Sequence, residues 1–190
     1  MNWSLLLEQT LNGFQFGILL FLLAAGLTLI FGIMDLINLA HGSLYMMGAY
    51  FAATFTKWTG SFILGAVLAI PASMAFGMIV EMIALRTLYT RNHLDQVLAT
   101  FGLILFFNEF VRLVWGPIGL DIPLPELLNG SVELFLGIHY PAFRLVIIGV
   151  GIMVAFLLYL LVSRTKLGML IRAGASNRKM VDALGVNINL

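Results

Sequence analysis

The sequence predicts an all-α polytopic membrane protein. Apolar runs of spanning length recur along its 190 residues. Only 10% of the residues are charged while 61% are hydrophobic, and the mean hydropathy is +1.03. A soluble domain carries about a quarter of its residues as charges, so an ordinary soluble domain is excluded. The pattern gives about five transmembrane helices, the second either spanning fully or broken or re-entrant, followed by a pair of short amphipathic cytoplasmic helices.

The first span is read over Leu11–Phe31. The ten residues at its N-terminal side hold Glu8 and no Lys or Arg, so the run is expected to be a retained span rather than a cleaved signal peptide. Gly13 and Gly17 stand four apart, a spacing that lets helix backbones approach in lipid. The second apolar run, Leu36–Phe55, follows after only Gly32–Asp35. The third, Phe62–Ile83, contains Pro71, which removes a backbone donor and is expected to kink it; Ala69, Ser73 and Gly77 repeat the small-residue spacing. The fourth is Gln96–Val114 and the fifth Phe143–Val162.

Lys and Arg orient these runs. Residues 84–95 hold Arg86 and Arg91, and 163–190 hold Arg164, Lys166, Arg172, Arg178 and Lys179. Residues 115–141 carry none, but have Asp121, Glu126 and Glu133. The first two segments are therefore read as cytoplasmic and the third as external. The N-terminus lies outside if the second run spans fully, and in the cytoplasm if it is re-entrant. The external segment from Trp115 to Pro125 is dense in Pro and Gly and reads as extended or turn-like; it is either a partner-binding loop or an ordinary connection.

The polar residues inside the apolar sequence concentrate at Asp35, Asn38, His41 and Ser43. Uncompensated polar groups in hydrocarbon cost roughly 2–7 kcal/mol, so this stretch faces protein or a watery path. If 36–50 is helical, Asn38, His41 and Tyr45 share one face. Gly42 and Gly48 permit close approach, and Asp35 is placed to cap the second helix. Two readings stay open for the stripe: hydrogen bonding within the bundle, or the lining of a translocation path. Glu109 and Arg112, at i and i+3, are expected to neutralise each other near the outer interface.

In the tail, Leu167, Leu170 and Ile171 share a face, Gly174 interrupts, and Asn177 is placed to cap a second short helix that ends at Gly185. The tail either docks a partner or only binds anionic headgroups.

Enzymatic readings find little support. With no cysteine, thiolate chemistry is excluded. His41, His93 and His139 are far apart, and neither an H-E-x-x-H motif nor a G-x-x-x-x-G-K-[ST] phosphate loop occurs. No catalytic residue, metal ligand or cofactor is assigned, and no nucleic-acid partner is expected.

Two stretches carry a resemblance. "GLTLIFGIMDLINLAHGSLYMMGAY" is similar to the N-terminal signature of permease subunits of branched-chain amino acid ABC importers. "RTKLGMLIRAGASNRKMVDALGVN" resembles the cytoplasmic segment by which such permeases dock on their ATPase. The resemblance implies a transport subunit in a bacterial inner membrane. Its partners would be ABC ATPase subunits, a second homologous permease and an extracytoplasmic substrate-binding protein. Asn38, Ala40, His41 and Gly42 fall on the membrane signature and, with Ser43 and Tyr45, are the candidates for the translocation region. Arg172, Ala173, Asn177, Arg178 and Gly185 fall on the docking segment. Ser43 stands where relatives often have an acidic residue, and Asn177 where many have Asp; both remove a charge. The implied domains are a partial permease domain, 1–162, and a docking segment, 163–190. Family permeases continue past that segment, so a truncated product is expected here. The implied substrate is leucine, isoleucine or valine. The alternative is urea or a short amide, whose importers share similar signatures. An ion-coupled secondary transporter is disfavoured, because Asp35, Glu81 and Glu109 all sit near span ends.

Overall fold

In the structure, a computed structural model, residues 3–133 and 139–183 are described. Five long apolar helices and one amphipathic helix account for most of them, as an all-α membrane fold requires. They are α1 (Trp3–Met34), α2 (His41–Thr59), α3 (Phe62–Val80), α4 (His93–Trp115), α5 (Ala142–Arg164) and α6 (Lys166–Ala183). A two-stranded antiparallel hairpin, β1 (Ser131–Glu133) with β2 (His139–Pro141), precedes α5 and pairs Val132 with Tyr140. Sequence reasoning misses it because three-residue strands leave no periodic pattern.

Four of the five long helices are both long and apolar enough to cross a membrane among the described residues: Leu5–Gly32, Phe62–Leu88, His93–Trp115 and Ala142–Arg164. The chain is a multi-pass membrane protein. The second apolar run is where the expected spans and the structure part. Its residues Leu36–Ala40 are not helical, and α2 begins only at His41. The apolar residues that suggest a span from Leu36 onward are used elsewhere. What remains in α2 includes His41, Ser43, Thr54, Thr56, Lys57 and Thr59, at a length of about 28 Å by helical rise.

The chain divides into two compact units, one built from residues 1–34 and 126–190 and the other from Asp35–Pro125. In the first, α1 and α5 run parallel. Tyr140 Oη donates to Asn12 Oδ1 at 3.0 Å and Arg144 donates to the same oxygen. Further along, Gly151 of α5 meets Ile18 of α1 so closely that any side chain at Gly151 would overlap it. The small residue that permits close approach is thus on α5. No described atom comes within 4 Å of where side chains at Gly13 and Gly17 would begin, so the expected role of that pair is not seen among the described residues.

In the second unit α2 and α3 form an antiparallel hairpin. Gly60 closes α2 in the left-handed region at φ 66°, and Ser61 caps α3 by accepting from the Leu64 amide. Gly65 packs against the Thr56 backbone, where a Cβ would lie 2.6 Å from the Thr56 nitrogen. Pro71 lies inside α3, which continues past it. Phe51, Phe76 and Phe107 then stack edge to face, with centroids 5.5 and 5.6 Å apart, joining α2, α3 and α4. The indole of Trp115 donates to Thr54 Oγ1 at 2.8 Å and ties the end of α4 to α2. After α3 the chain makes a π-helical turn, Glu81–Leu85, and a 3-10 turn, Arg86–Leu88. Glu81 there accepts from Arg86 and from Tyr89 Oη.

The tail also differs from the sequence reading. Lys166–Ala183 is one helix through Gly174, not a pair. Gly174 is buried, and α6 packs on α1 and α5; at Gly32 a side chain would sit 3.6 Å from Ala175 Cβ. Tertiary contact outweighs the roughly 1 kcal/mol that one glycine costs a helix. The expected Glu109–Arg112 pair forms at 3.3 Å, with both side chains largely exposed.

Candidate functional site

The six residues Asp35–Ala40 form a non-helical stretch in a helical membrane protein, and their backbone polar groups need partners. Asp35 turns the chain at φ 51°, a left-handed conformation that Asp tolerates better than most residues. The partners come from α4. The Ile37 amide donates to Gln96 Oε1 at 3.0 Å, and the Leu39 amide donates to Thr100 Oγ1 at 3.3 Å. Thr100 in turn donates to the Gln96 carbonyl at 2.7 Å. Gln96 and Thr100 are i and i+4, hence on one face of α4, and both are buried.

Gln96 reaches a second segment as well. Its Nε2 lies 3.2 Å from the Leu88 carbonyl and 3.3 Å from that of Arg91. His93 Nδ1 lies 3.3 Å from its Oε1. One side-chain amide therefore holds both the junction and the loop that carries Arg86 and Arg91. Sequence reasoning does not single out Gln96 or Thr100. The available signal is the same as for Asn38: two polar residues, four apart, in an apolar run.

The candidates read from the sequence are distributed unequally around this junction. Asn38 and Ala40 are 1% exposed, and Ser43 is buried at the first turn of α2. His41 is half-buried and Gly42 exposed. Tyr45 is 62% exposed and lines an open groove of about 500 Å³ with Gly48, Ala69 and Ser73. The single face of Asn38, His41 and Tyr45 does not exist, because Asn38 precedes the helix. Nor does Asp35 cap α2: the cap position is Ala40, with no side-chain hydrogen bond, and Asp35 lies five residues before it. The Asn38 side chain is buried with neither amide atom hydrogen-bonded among the described residues. The groups of α4 that hold the junction are an amide and a hydroxyl. They hold a chain segment and offer no charge to a ligand.

At the other candidate region, Thr165 Oγ1 accepts from the Gly168 amide at 3.0 Å and starts α6. Arg172 donates to the Val162 carbonyl at 2.8 Å and to that of Ser163 at 3.4 Å, closing the end of α5. Gly168 sits against the Leu161 and Val162 carbonyls, where a side chain would overlap them. Ala173 is half-buried. Asn177 and Arg178 lie on α6, their side chains outside the description, and Gly185 lies outside the described residues.

Residues 9–190 match the profile of the family described as branched-chain amino acid transport system, permease component. The chain belongs to this family. It is 33% identical to the high-affinity branched-chain amino acid transport system permease protein BraD of Pseudomonas aeruginosa, over 96% of this chain and 63% of that protein. It is 31% identical to the corresponding LivH of Escherichia coli, over 95% and 62%. To the probable branched-chain amino acid transport permease protein LivH of Methanocaldococcus jannaschii it is 30% identical, over 90% and 55%. The chain thus spans less than two thirds of the length of these relatives. No solved structure matches it. Of the two stretches that carry the resemblance, 26–50 covers the end of α1, the junction and the start of α2, and the described part of 164–187 covers the end of α5 and α6.

Proposed function

We propose that the chain is a permease subunit of an ATP-driven importer that moves leucine, isoleucine or valine across a bacterial inner membrane. The observation that carries this reading is the match of nearly the whole chain to branched-chain amino acid permeases. The fold adds support. α1 and α5 run parallel, and the end of α5 and the start of α6 hold Arg164, Lys166 and Arg172. By the excess of Lys and Arg on cytoplasmic segments, the C-terminal ends of both helices are cytoplasmic and the N-terminus is external. By the same rule Arg86 and Arg91 put the start of α4 in the cytoplasm.

In this reading α6 is the power input. It lies at the cytoplasmic ends of α1 and α5 and meets the ATPase through Arg172, Ala173, Asn177, Arg178 and Gly185. ATP is bound by that separate subunit, since this sequence has no phosphate loop. A soluble binding protein delivers substrate to the external segment, and a second permease completes the path. Asn38, Ala40, His41, Gly42, Ser43 and Tyr45 belong to the region that moves with it.

The test is reconstitution in liposomes with the ATPase, the second permease and the binding protein. Uptake of labelled leucine, isoleucine or valine is expected only with ATP supplied to the ATPase. Uptake that ignores ATP and follows an ion gradient overturns the reading, and uptake of urea in preference to leucine moves it to the other substrate class.

A further inference from the structure

Three features of the junction do not follow from its being a connection between two helices. Its backbone is held by side chains of α4 rather than by a ladder of its own: Ile37 by Gln96 and Leu39 by Thr100. A helix opens only by breaking several of its own bonds together, whereas this segment is released when one or two side chains let go. Its first residue, Asp35, sits at positive φ, a conformation that persists where the surroundings enforce it. Its buried polar side chain, Asn38, has neither amide atom hydrogen-bonded among the described residues. A buried amide with both ends unmet raises the energy of the arrangement that holds it. An arrangement in which that amide is uncovered is relieved of this cost.

We propose that Asp35–Ala40 is a two-position junction, that the Gln96 amide is the clasp holding it shut, and that release of the clasp uncovers Asn38. Gln96 is a positioning residue: it acts through the backbone of Ile37 and touches no substrate. Its second set of bonds defines what controls it. The same amide donates to the carbonyls of Leu88 and Arg91, so a displacement of residues 86–92 pulls on the donor end while the acceptor end holds Ile37. The exposed loop and the buried junction are therefore joined through one side chain, 2% exposed, at the start of α4. Thr100, fully buried one turn further along, holds the other amide and stays behind as the pivot. The link to transport rests on the permease reading; the clasp itself does not.

The test uses the natural absence of cysteine. Ser43→Cys is a near-isosteric reporter, buried in the first turn of α2, and Thr90→Cys reports on the exposed loop. Each is labelled with N-ethylmaleimide in membranes holding the full complex. In the Gln96→Leu background, labelling at position 43 is expected to accelerate about tenfold, the effect of losing one buried hydrogen bond, while labelling at position 90 changes by less than about twofold. Thr100→Val, which removes the Leu39 bond and the hydroxyl's contacts with the Ile37 and Gln96 carbonyls but leaves the Gln96 side chain in place, is expected to give a smaller acceleration of the same sign. Unchanged labelling at position 43 overturns the proposal. So does equal acceleration at both reporters, which is general loosening rather than release of one segment. Should Gln96→Leu fail to reach the membrane, Thr100→Val decides on the same two outcomes. Uptake is measured separately. If the parent complex takes up no branched-chain amino acid, the permease reading fails while the labelling still decides the clasp. If it does transport, Gln96→Leu is expected to lower uptake per ATP hydrolysed about fivefold or more through loss of positioning, and an unchanged ratio removes the coupling role.

Discussion

Two short breaks between helices are built in opposite ways. Between α5 and α6 the chain turns over a single residue, Thr165, and the partners are local. The Thr165 hydroxyl caps the amide three residues on, and Arg172 returns to carbonyls nine and ten residues back. Between α1 and α2 the break is six residues long, and its partners Gln96 and Thr100 stand 59 and 61 residues away. A turn satisfied by its own neighbours forms as soon as its helices form. A break satisfied from a distant helix forms only when that helix docks, and it is undone when the helix shifts. The first suits a fixed elbow and the second a moving part.

The largest effect is expected at the fixed elbow. Gly168→Ala places a Cβ on the carbonyls of Leu161 and Val162, which are backbone and cannot swing away. Overpacking of this kind costs about 1–3 kcal/mol, with the upper end expected against backbone. Thermal unfolding in detergent should show a clear loss of stability. A neutral result would mean that α6 pivots freely on α5, and the elbow would then not be fixed.

Gln96→Leu is expected to come next. It keeps the side-chain volume but strips partners from the Ile37 amide and from two carbonyls, and one buried unsatisfied group alone costs about 1–3 kcal/mol. Partial relief by local rearrangement should leave a net cost of about 2 kcal/mol in the same melt. A cost near zero would show that the junction finds other partners, which erases the contrast between distant and local satisfaction.

Asn38→Leu is expected to act in the opposite direction. Replacing an unpaired buried amide with an apolar side chain of similar size removes its desolvation penalty, a gain of about 1 kcal/mol. If the proposed second position of the junction uses the amide, transport should fall even though stability rises. If both rise together, Asn38 has no such use.

The comparison also explains what is legible in the sequence. The spans behind α1, α3, α4 and α5 are visible because a run of about 20 apolar residues has one solution in lipid. The family resemblance picks out both signature regions by their residues. The start of α2 is not visible, because Leu36, Ile37, Leu39 and Ala40 are as apolar as any helix, and what draws them out of a helix is Gln96 and Thr100 on α4. The burial that carries α6 through Gly174 is likewise a property of α1 and α5, not of the tail. The Glu109–Arg112 pair is legible because i,i+3 spacing is enough to form it. Local geometry can be read; satisfaction supplied from another element cannot.

The smallest effect on stability, and the one that separates two jobs of a single residue, is expected at Arg172. Its bonds to the Val162 and Ser163 carbonyls are exposed to solvent, and a cation at an exposed helix C-terminus contributes about 0.3–1 kcal/mol. Arg172→Ala should therefore lower stability by no more than about 1 kcal/mol, with Arg172→Lys recovering part of it. Docking on the proposed ATPase partner is a separate readout. In a pull-down from detergent extracts, the double substitution Arg172→Glu with Arg178→Glu should release the ATPase while membrane insertion persists. If the complex survives the charge reversal, Arg172 serves only to close α5, and α6 is a structural brace rather than the point where the power stroke enters. If the complex is lost while the melt moves by no more than the single substitution predicts, the elbow is fixed by Thr165 and Gly168, which leaves the arginine's charge available to the partner.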